Sequence, residues 1–251
     1  VAMKINKFIK KKKGMYLLEL ENNNQLKIHE DLILKYDLLL NKTLDSSLID
    51  KIQKENEFYE IYEVALKYLN IRIRSKKEMI KYLLNKDYTE NNIMNVIEKL
   101  ESQGYLNDKI YAISFVHDKL LTSSYGPKRI SLELAKNSIQ NEIITEAMLD
   151  YTEEIEKERI KKIVEKQIKH NTTKGPNLLK RKIQSYLLNL GYSIDYINQE
   201  LNSKNLMDDS IIEREYQKLY QKLSKKYSGK ELEYKLKQKM YQKGFTISEY
   251  D

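Results

Sequence analysis

Residues 82–93 read YLLNKDYTENNI and residues 186–197 read YLLNLGYSIDYI, so a chain of 251 residues contains nearly the same short pattern twice. Each copy contains the end of one apolar run at helical spacing, a turn, and the start of a second run. Self-similarity at a long, regular period is typical of repeat proteins, in which each copy is one supersecondary unit. The two stretches therefore indicate the same helix–turn–helix corner in two copies of a longer unit.

The corner occurs four times when the chain is aligned on the apolar residue that follows the turn. These residues are Tyr88, Ile139, Tyr192 and Phe245, at steps of 51, 53 and 53 residues. An amphipathic segment precedes each of them, and the four segments are KKEMIKYLLN, PKRISLELAK, LLKRKIQSYLLN and KELEYKLKQKMYQ. Because a further helical run lies before each segment and another begins after the corner, the predicted unit is three helices.

A unit of about 50 residues buries too little apolar surface to be stable alone, so neighbouring units are expected to stack on one another. We predict a mainly α fold, an elongated tandem array of three complete three-helix repeats and a truncated fourth, after a small N-terminal β-hairpin or meander. The predicted bounds of the lead-in and the four repeats are 1–56, 57–104, 105–151, 152–203 and 204–251.

The first 56 residues differ from the repeats. MYLLELE and QLKIH flank the polar turn of residues 22–24, and KINKFIKK is a candidate third strand. Asparagine tolerates positive φ, and alternation of apolar and polar residues is typical of a half-buried strand. We predict helices near residues 31–38 and 46–56 between this sheet and the first repeat.

Helix start and stop signals recur with the repeat. Three S/T-x-x-E patterns predict capping boxes, in which a hydroxyl accepts a first-turn amide and the glutamate reaches back: residues 75–78, 228–231 and 246–249. Gly-Pro pairs at 126–127 and 175–176 place a proline at a first helical position. Gly191 and Gly244 can take the left-handed conformation that ends a helix, while Asp87 and Ser138 stand at the corresponding places.

No residue pattern of this chain indicates catalysis, a cofactor or a metal site. It has no cysteine, three histidines in three different segments, and too few glycines for a phosphate-binding loop. No run approaches the ~20 apolar residues of a membrane-spanning helix. We therefore predict a cytoplasmic monomer without catalytic residues, cofactors or metals. The net charge of +8 suits an anionic partner, although lysine also serves solubility.

Basic residues are concentrated near the third repeat. Residues 160–182 contain eight of them against one acid, Glu165. One predicted helix that overlaps this segment carries four basic residues at steps of three and four, opposite an apolar face: Arg159, Lys162, Lys166 and Lys169. The repulsion among such charges disfavours the helix, so an anionic partner would relieve it, but an ordinary solvated face has the same composition. The candidate binding residues here are Arg159, Lys162, Lys166, Lys169, Lys174, Lys180, Arg181 and Lys182.

Tyrosine is abundant, with twenty residues, and most of them recur at apolar positions of the repeat. Tyr82, Tyr88, Tyr186 and Tyr192 are expected in the core. Tyr216, Tyr220 and Tyr227 lie among lysines, a composition typical of base-stacking surfaces, although packing explains them equally well.

Three ordered segments resemble the RecX family of regulators of the RecA recombinase. LNIRIRSKKEM (69–79) resembles the family's L-x-x-R-x-R-S-x-x-E-L, with Met79 in place of leucine. GYLNDKIYAISFV (104–116) resembles G-Y-x-x-D-x-x-F-A, with Tyr111 in place of phenylalanine. GPKRISLELAKNSI (126–139) resembles G-x-x-x-I-x-x-E-L, but Asn137-Ser138 replaces the usual Lys-Gly pair. The resemblance covers residues 57–203, and the fourth unit extends beyond the usual three.

This resemblance implies a non-enzymatic regulator that binds RecA–single-stranded DNA filaments along the groove and inhibits recombinase, ATPase and co-protease activity. It places the chain in DNA repair, recombination and the SOS response. Ser75, Glu78 and Ala112 are expected to be structural, and Arg72 and Arg74 are added to the candidate binding residues. The alternative is a sequence-nonspecific single-stranded nucleic-acid-binding protein that competes for DNA.

Overall fold

The structure, a computed structural model, describes residues 2–12, 14–206 and 208–246. The strands are β1 Met3–Lys10, β2 Met15–Leu20, β3 Gln25–His29 and β4 Thr43–Leu44. The helices are α1 Glu30–Lys35, α2 Ser46–Leu69, α3 Lys76–Leu84, α4 Glu90–Ser102, α5 Asp108–Thr122, α6 Pro127–Lys136, α7 Asn141–Ala147, α8 Glu153–Lys169, α9 Pro176–Asn189, α10 Ile194–Ser203, α11 Asp209–Leu223 and α12 Gly229–Gln242. The predicted class, mainly α three-helix repeats behind a small sheet, is confirmed.

Two compact units make up the chain. The first contains the residues up to Tyr111 together with Asn137–Ile139, and the second contains Ala112–Lys136 together with the chain from Gln140 onward. The N-terminal sheet and the helices α1 to α4 lie in the first unit. The second unit contains α6 to α12, and with them the basic segment that the sequence singles out.

The N-terminal sheet is antiparallel, with strand order β3-β2-β1-β4. Asn23 turns the β2–β3 hairpin with a φ of 62°, as the Asn-rich turn predicts. Leu26 and Ile28 alternate into the core. The candidate third strand is confirmed as β1. The fourth strand, Thr43–Leu44, has only two residues, too few to produce an alternating pattern.

Residues 46–69 form a single helix, α2, whereas the sequence predicts two helices that are separated near residues 56 and 57. Helix α2 runs unbroken for 24 residues, capped by the Asp45 side chain, so the predicted bound of the first repeat lies inside a helix. No glycine or proline interrupts residues 46–69, and buried Asn56 accepts a hydrogen bond from the backbone N–H of His29 at 2.8 Å. This contact holds the helix against the sheet where a break was expected.

Helix start signals are confirmed in part. Ser75 and Glu78 form both halves of a capping box on α3. Ser228 stands at the N-cap of α12, but its side chain caps no amide, so that predicted box is wrong. Gly229 follows it with a φ of +54°, and the first turn is therefore too irregular for the reciprocal bonds. The box at 246–249 and the last predicted helix lie outside the described residues.

All four corners contain a left-handed residue two or three positions after the last residue of the second helix. The φ angles are 62° at Asp87, 60° at Ser138, 89° at Gly191 and 92° at Gly244. The corner geometry is therefore a property of the repeat, and a glycine is not required to form it. Asp and Ser accept a strain of about 1 kcal/mol there that glycine avoids.

Within the second unit, each repeat docks the start of its second helix on the corner of the next repeat. The N–H of Gly126 donates to the carbonyl of Leu190 at 2.7 Å, and that of Gly175 donates to the carbonyl of Lys243 at 2.8 Å. A Cβ at Gly126 would lie 2.6 Å from the Gly191 backbone, and one at Gly175 would lie 2.5 Å from the Gly244 backbone. Only glycine permits so close an approach, and this explains the Gly-Pro pairs.

Candidate functional site

Helix α8 presents lysines to solvent along the side opposite its buried face. Ile160 and Val164 are fully buried, whereas Lys162, Lys166 and Lys169 are exposed. Two turns of helix separate the first of these lysines from the last, so they form a continuous row. This agrees with the predicted row of charge. We define the α8–α9 basic surface as five exposed residues of these helices: Lys162, Lys166, Lys169, Arg181 and Lys182.

The acids near this surface are only partly available to neutralise it. Glu158 pairs with Lys162 at 2.6 Å, and this hydrogen bond lowers the pKa of the glutamate. Glu165 pairs with Lys204, at the C-terminal end of α10, at 2.9 Å, and that hydrogen bond lowers the pKa of Glu165. Neither Lys166 nor Lys169 forms an ion pair within the described ranges. The positive charge of the surface is therefore centred on the last two turns of α8.

Arg159 does not belong to the solvent-facing row in which the sequence places it. It is half-buried, and its guanidinium donates to the backbone carbonyls of Leu120, at 2.8 Å, and Ser123. It also donates to the hydroxyl of Tyr192 at 3.4 Å. The helical spacing of Arg159 matches that of the exposed lysines, but its position on the flank of α8 turns it toward the end of α5.

Tyrosine side chains complete this set of contacts to the α5–α6 loop. The Tyr192 hydroxyl donates to the carbonyl of Ser124 at 3.0 Å, and the Tyr151 hydroxyl donates to that of Tyr125 at 3.1 Å. Burial raises the pKa of Tyr151 well above its ordinary value. The backbone carbonyls of three consecutive loop residues, 123–125, thus accept hydrogen bonds from side chains. The donors belong to the third repeat and to Tyr151, which precedes it. These long-range contacts have no local sequence signal.

The remaining predicted residues of this region occupy different environments. Arg181 and Lys182 are exposed on α9, opposite buried Leu179, Ile183 and Leu187. Lys180 donates to the side-chain oxygen of Asn202 at 2.8 Å. Lys174 is half-buried in a loop that the Asn171 side chain closes through the backbone of Lys174. The structure therefore brings Arg181 and Lys182 to solvent and gives Lys180 and Lys174 local contacts.

Arg72 and Arg74 lie in the first unit and have structural contacts. Both terminal nitrogens of Arg72 donate to the carboxylate of Glu78, at 2.6 and 3.3 Å. Burial acts to raise the pKa of Glu78, but the hydrogen bonds from Arg72 and the Ser75 amide, together with the charges of Arg72 and Arg74, outweigh it and lower that pKa. Arg74 is buried, and its guanidinium carbon lies 4.0 Å from the centre of the Tyr68 ring. This environment leaves Arg74 inaccessible to a partner as the structure stands.

Other residues of the recognised segments also prove structural. The side chain of Asp108 accepts a hydrogen bond from the first amide of α3, Lys76, at 2.8 Å. Ala112 is fully buried, as its small size predicts. Gly104 has a φ of +76° at the end of α4. These residues fix the fold, so the recognised segments do not by themselves locate a binding site.

No group of three or more His, Cys, Asp or Glu residues able to hold a metal occurs within residues 2–12, 14–206 and 208–246. The three histidines have local contacts: His29 caps α1, His117 pairs with Asp150 at 2.7 Å, and His170 contacts the Lys166 carbonyl at 2.7 Å. None of the helices in that part of the chain is both long and apolar enough to cross a bilayer.

A helical-repeat protein with a basic surface is the class that this fold and site define. Family models described as "RecX, first three-helix domain" and "RecX, second three-helix domain" match residues 62–100 and 107–148. The "Regulatory protein RecX" of Streptococcus agalactiae is 31% identical over 227 residues, covering 86% of both chains. That of Enterococcus faecalis is 28% identical over 215 residues, covering 86% of this chain and 80% of the relative. The chain belongs to the RecX family of regulatory proteins.

Solved structures show the same fold. A crystal structure of RecX from Lactobacillus salivarius has a TM-score of 0.53 and 31% identity, covering 64% of this chain and 97% of that one. A second crystal structure, of a regulatory protein RecX, has a TM-score of 0.72 and 24% identity. It covers 80% of this chain and all of its own. This second likeness supports the fold alone.

Proposed function

We propose that this protein regulates the RecA recombinase by binding RecA–single-stranded DNA filaments along their groove. Binding restrains filament growth and so lowers ATP hydrolysis, strand exchange and co-protease activity, with no reaction catalysed by the protein itself. Membership of a family whose relatives are named regulatory proteins supports regulation as the role. The observation that carries the proposal of binding is the α8–α9 basic surface, whose charge lies mainly on Lys166 and Lys169 rather than in internal ion pairs.

The physics of the repeat suits a polymeric partner. The amide of Gly175 is bonded to the carbonyl of Lys243, so the basic end of α8 and the basic fourth repeat adjoin at one corner. Weak contacts at successive repeats add through effective concentration when the partner is itself a repeating polymer. A deep pocket is unnecessary for such binding. Negative charge on the partner would also relieve the repulsion among the lysines of α8.

The first test is a titration into the ATPase reaction of recombinase filaments on single-stranded DNA. A variant with Lys162→Glu, Lys166→Glu and Lys169→Glu should need about ten times more protein for half-inhibition, because each reversed charge repels the phosphates or acidic groups it would otherwise meet. Its stability should fall by less than about 1 kcal/mol, since exposed like charges on a helix cost only tenths each.

The matched control reverses three exposed lysines of strand β1, Lys4, Lys7 and Lys10, and so changes the net charge by the same amount. This control should inhibit like the wild-type protein. Equal inhibition by the α8 variant and the wild type would remove the α8–α9 basic surface from the proposal. Equal loss in both variants would assign the effect to net charge.

The second candidate function, competition for DNA by a nonspecific single-strand binder, is favoured by the lysine-rich composition of the third and fourth repeats. A competitor should bind bare strands with an affinity that falls steeply with salt, with or without recombinase. It should also inhibit only at concentrations that coat the DNA. A filament regulator inhibits far below that ratio.

A further inference from the structure

The fourth repeat carries a large positive charge of its own, separate from the α8–α9 basic surface. Residues 214–243 contain ten basic residues and three acidic ones, a net charge of +7 in a chain whose total is +8. Residues 159–182 contain nine basic residues and one acid. The rest of the chain therefore has a net negative charge. The net excess of positive charge therefore comes from these two segments, both in the second unit.

Helix α12 has an outer face on which aromatic and basic residues alternate. Leu236 and Met240 are buried on the inner side. Lys230, Tyr234, Lys237 and Tyr241 follow one another at i, i+4, i+7 and i+11, which places them on one face of a helix. We call this the α12 outer face. Tyr234 is 64% exposed and Tyr241 is 72% exposed, more than any other aromatic side chain of the described residues.

Packing within the protein does not account for these two rings. Many other tyrosines of the repeats are covered: Tyr192 is buried in the core, and Tyr68 stacks on Tyr82 with ring centres 3.8 Å apart. Tyr216, which the sequence groups with possible stacking residues, packs on the core of the fourth repeat. An ordinary solvated helix face consists of Lys, Glu and Gln, because large apolar rings gain free energy only when they are covered.

We propose that the α12 outer face binds single-stranded nucleic acid, with bases stacked on Tyr234 and Tyr241 and phosphates neutralised by the lysines between them. The two rings lie about 10 Å apart along the helix axis, at seven residues of about 1.5 Å each, so each can take a different base. Aromatic side chains among basic residues are the elements with which proteins bind unpaired strands without sequence preference. This site acts on the strand directly and needs no recombinase.

Charges around the rings are compatible with a polyanion. The ammonium of Lys235 lies 5.8 Å from the centre of the Tyr234 ring. Lys237 pairs with Glu233 at 3.0 Å, and Glu231 is the other acid of the helix. The Glu233 pair is exposed and contributes little stability, so a phosphate can exchange for the carboxylate. Duplex DNA hides its base faces in the stack, and an acidic protein surface offers the rings nothing to stack on.

The test measures the affinity of the full chain for a fluorescein-labelled oligothymidylate by anisotropy at low salt, without recombinase. Tyr234→Ala with Tyr241→Ala should weaken binding about tenfold or more, since two stacked bases are lost. Tyr234→Phe with Tyr241→Phe should bind like the wild type, because phenylalanine keeps the ring. Tyr105→Ala removes a ring that is 59% exposed in the first unit and should change nothing.

Unchanged affinity in the double alanine variant would overturn the site, as would an equal loss in the Tyr105→Ala or double phenylalanine variants. A second readout uses the absence of tryptophan from the chain. Tyr234→Trp places one such fluorophore on the face, and oligothymidylate should quench it while polyglutamate should not. Equal quenching by polyglutamate would assign the face to acidic proteins instead. A negative result in either assay would rule out the α12 outer face as a strand-binding site. It would not bear on filament inhibition, which the ATPase titration measures separately.

Discussion

At the scale of single residues, the left-handed corners show what a glycine contributes. Asp87 and Ser138 adopt nearly the same φ as Gly191 and Gly244, so the turn itself tolerates a side chain. Gly191 and Gly244 differ from Asp87 and Ser138 because the backbone of a neighbouring repeat packs against them. A Cβ at Gly191 would lie 2.5 Å from the amide nitrogen of Arg129. Glycine is therefore needed at a corner on which the preceding repeat docks, and its conformational freedom is a secondary benefit.

Gly191→Ala should lower the free energy of unfolding by about 2–4 kcal/mol, combining left-handed strain with the displacement of the α6 backbone. Gly104→Ala is the matched control, because its φ is +76° but no atom lies within 4 Å of the added Cβ. It should cost about 1 kcal/mol, from strain alone. Urea denaturation measures both, and equal costs would contradict the role of close approach.

The burial of Glu156 should make the free energy of unfolding rise as the pH falls toward 4.5. It is buried and accepts a hydrogen bond from the Ser193 amide at 2.7 Å, and burial raises its pKa above 4.5. The folded protein therefore takes up this proton at a higher pH than the unfolded chain. Between the raised value and 4.5, acidification favours the folded state, so this residue destabilises the protein most at neutral pH.

Glu156→Gln keeps an oxygen acceptor for Ser193 and removes the charge. At pH 7 the variant should be at least as stable as the wild-type protein. The difference between the two free energies of unfolding should then shrink as the pH falls toward 4.5. Denaturation curves at several pH values measure this difference. A gap that widens on acidification would show that the carboxylate, not the acid, is favoured in the folded state.

At the scale of elements, the α5–α6 loop depends on donors from the third repeat. Arg159→Ala should cost about 2–3 kcal/mol, because two backbone carbonyls lose a charged donor. Tyr192→Phe should cost about 1 kcal/mol, for one neutral hydrogen bond. The smaller cost expected for Tyr192→Phe agrees with the fourth repeat, where Phe245 is buried at the equivalent corner without a hydroxyl. Thermal or urea unfolding measures both.

Arg181→Ala is the control for Arg159, since Arg181 is an exposed arginine of the same basic segment. It should change stability by less than about 0.5 kcal/mol. A similar loss from both substitutions would show that the carbonyl contacts of Arg159 do not stabilise the docked repeats. The comparison also separates arginines that hold the fold from those available to a partner.

Sequence patterns predict elements well here because the repeat presents the same local signals four times. The capping box of Ser75, the proline starts and the positions of the corners are all local, and the structure confirms them. The unbroken α2 and the missing box at Ser228 were mispredicted, because each depends on contacts or dihedral angles that no local pattern reports. Tyr186 was expected in the core and is exposed, as a residue at the edge of an apolar face can be.

The candidate site divides in the same way. Helical spacing correctly predicts that Lys162, Lys166 and Lys169 share a solvent-exposed side of α8. It cannot separate Arg159 from them, because the contacts of Arg159 come from carbonyls 36 and 39 residues earlier in the chain. The α12 outer face was likewise not singled out, since exposure of Tyr234 and Tyr241 depends on which side of the helix packs.

At the scale of the whole molecule, the α8–α9 basic surface of the third repeat serves to bind a filament rather than to compete for bare DNA. The chain's +8 results from two basic segments set against an acidic remainder, a distribution that solubility alone does not require. Charge concentrated in this way favours binding to a polyanion, and repetition favours a polymeric partner.

The most direct measurement compares the affinity of this protein for preformed RecA–single-stranded DNA filaments with its affinity for the same strand without recombinase, over a range of salt concentrations. Filament binding should be at least about tenfold tighter at physiological salt, with a weaker salt dependence than binding to the bare strand. Affinities and salt slopes that are equal for the two partners would contradict it and leave a competitor for DNA.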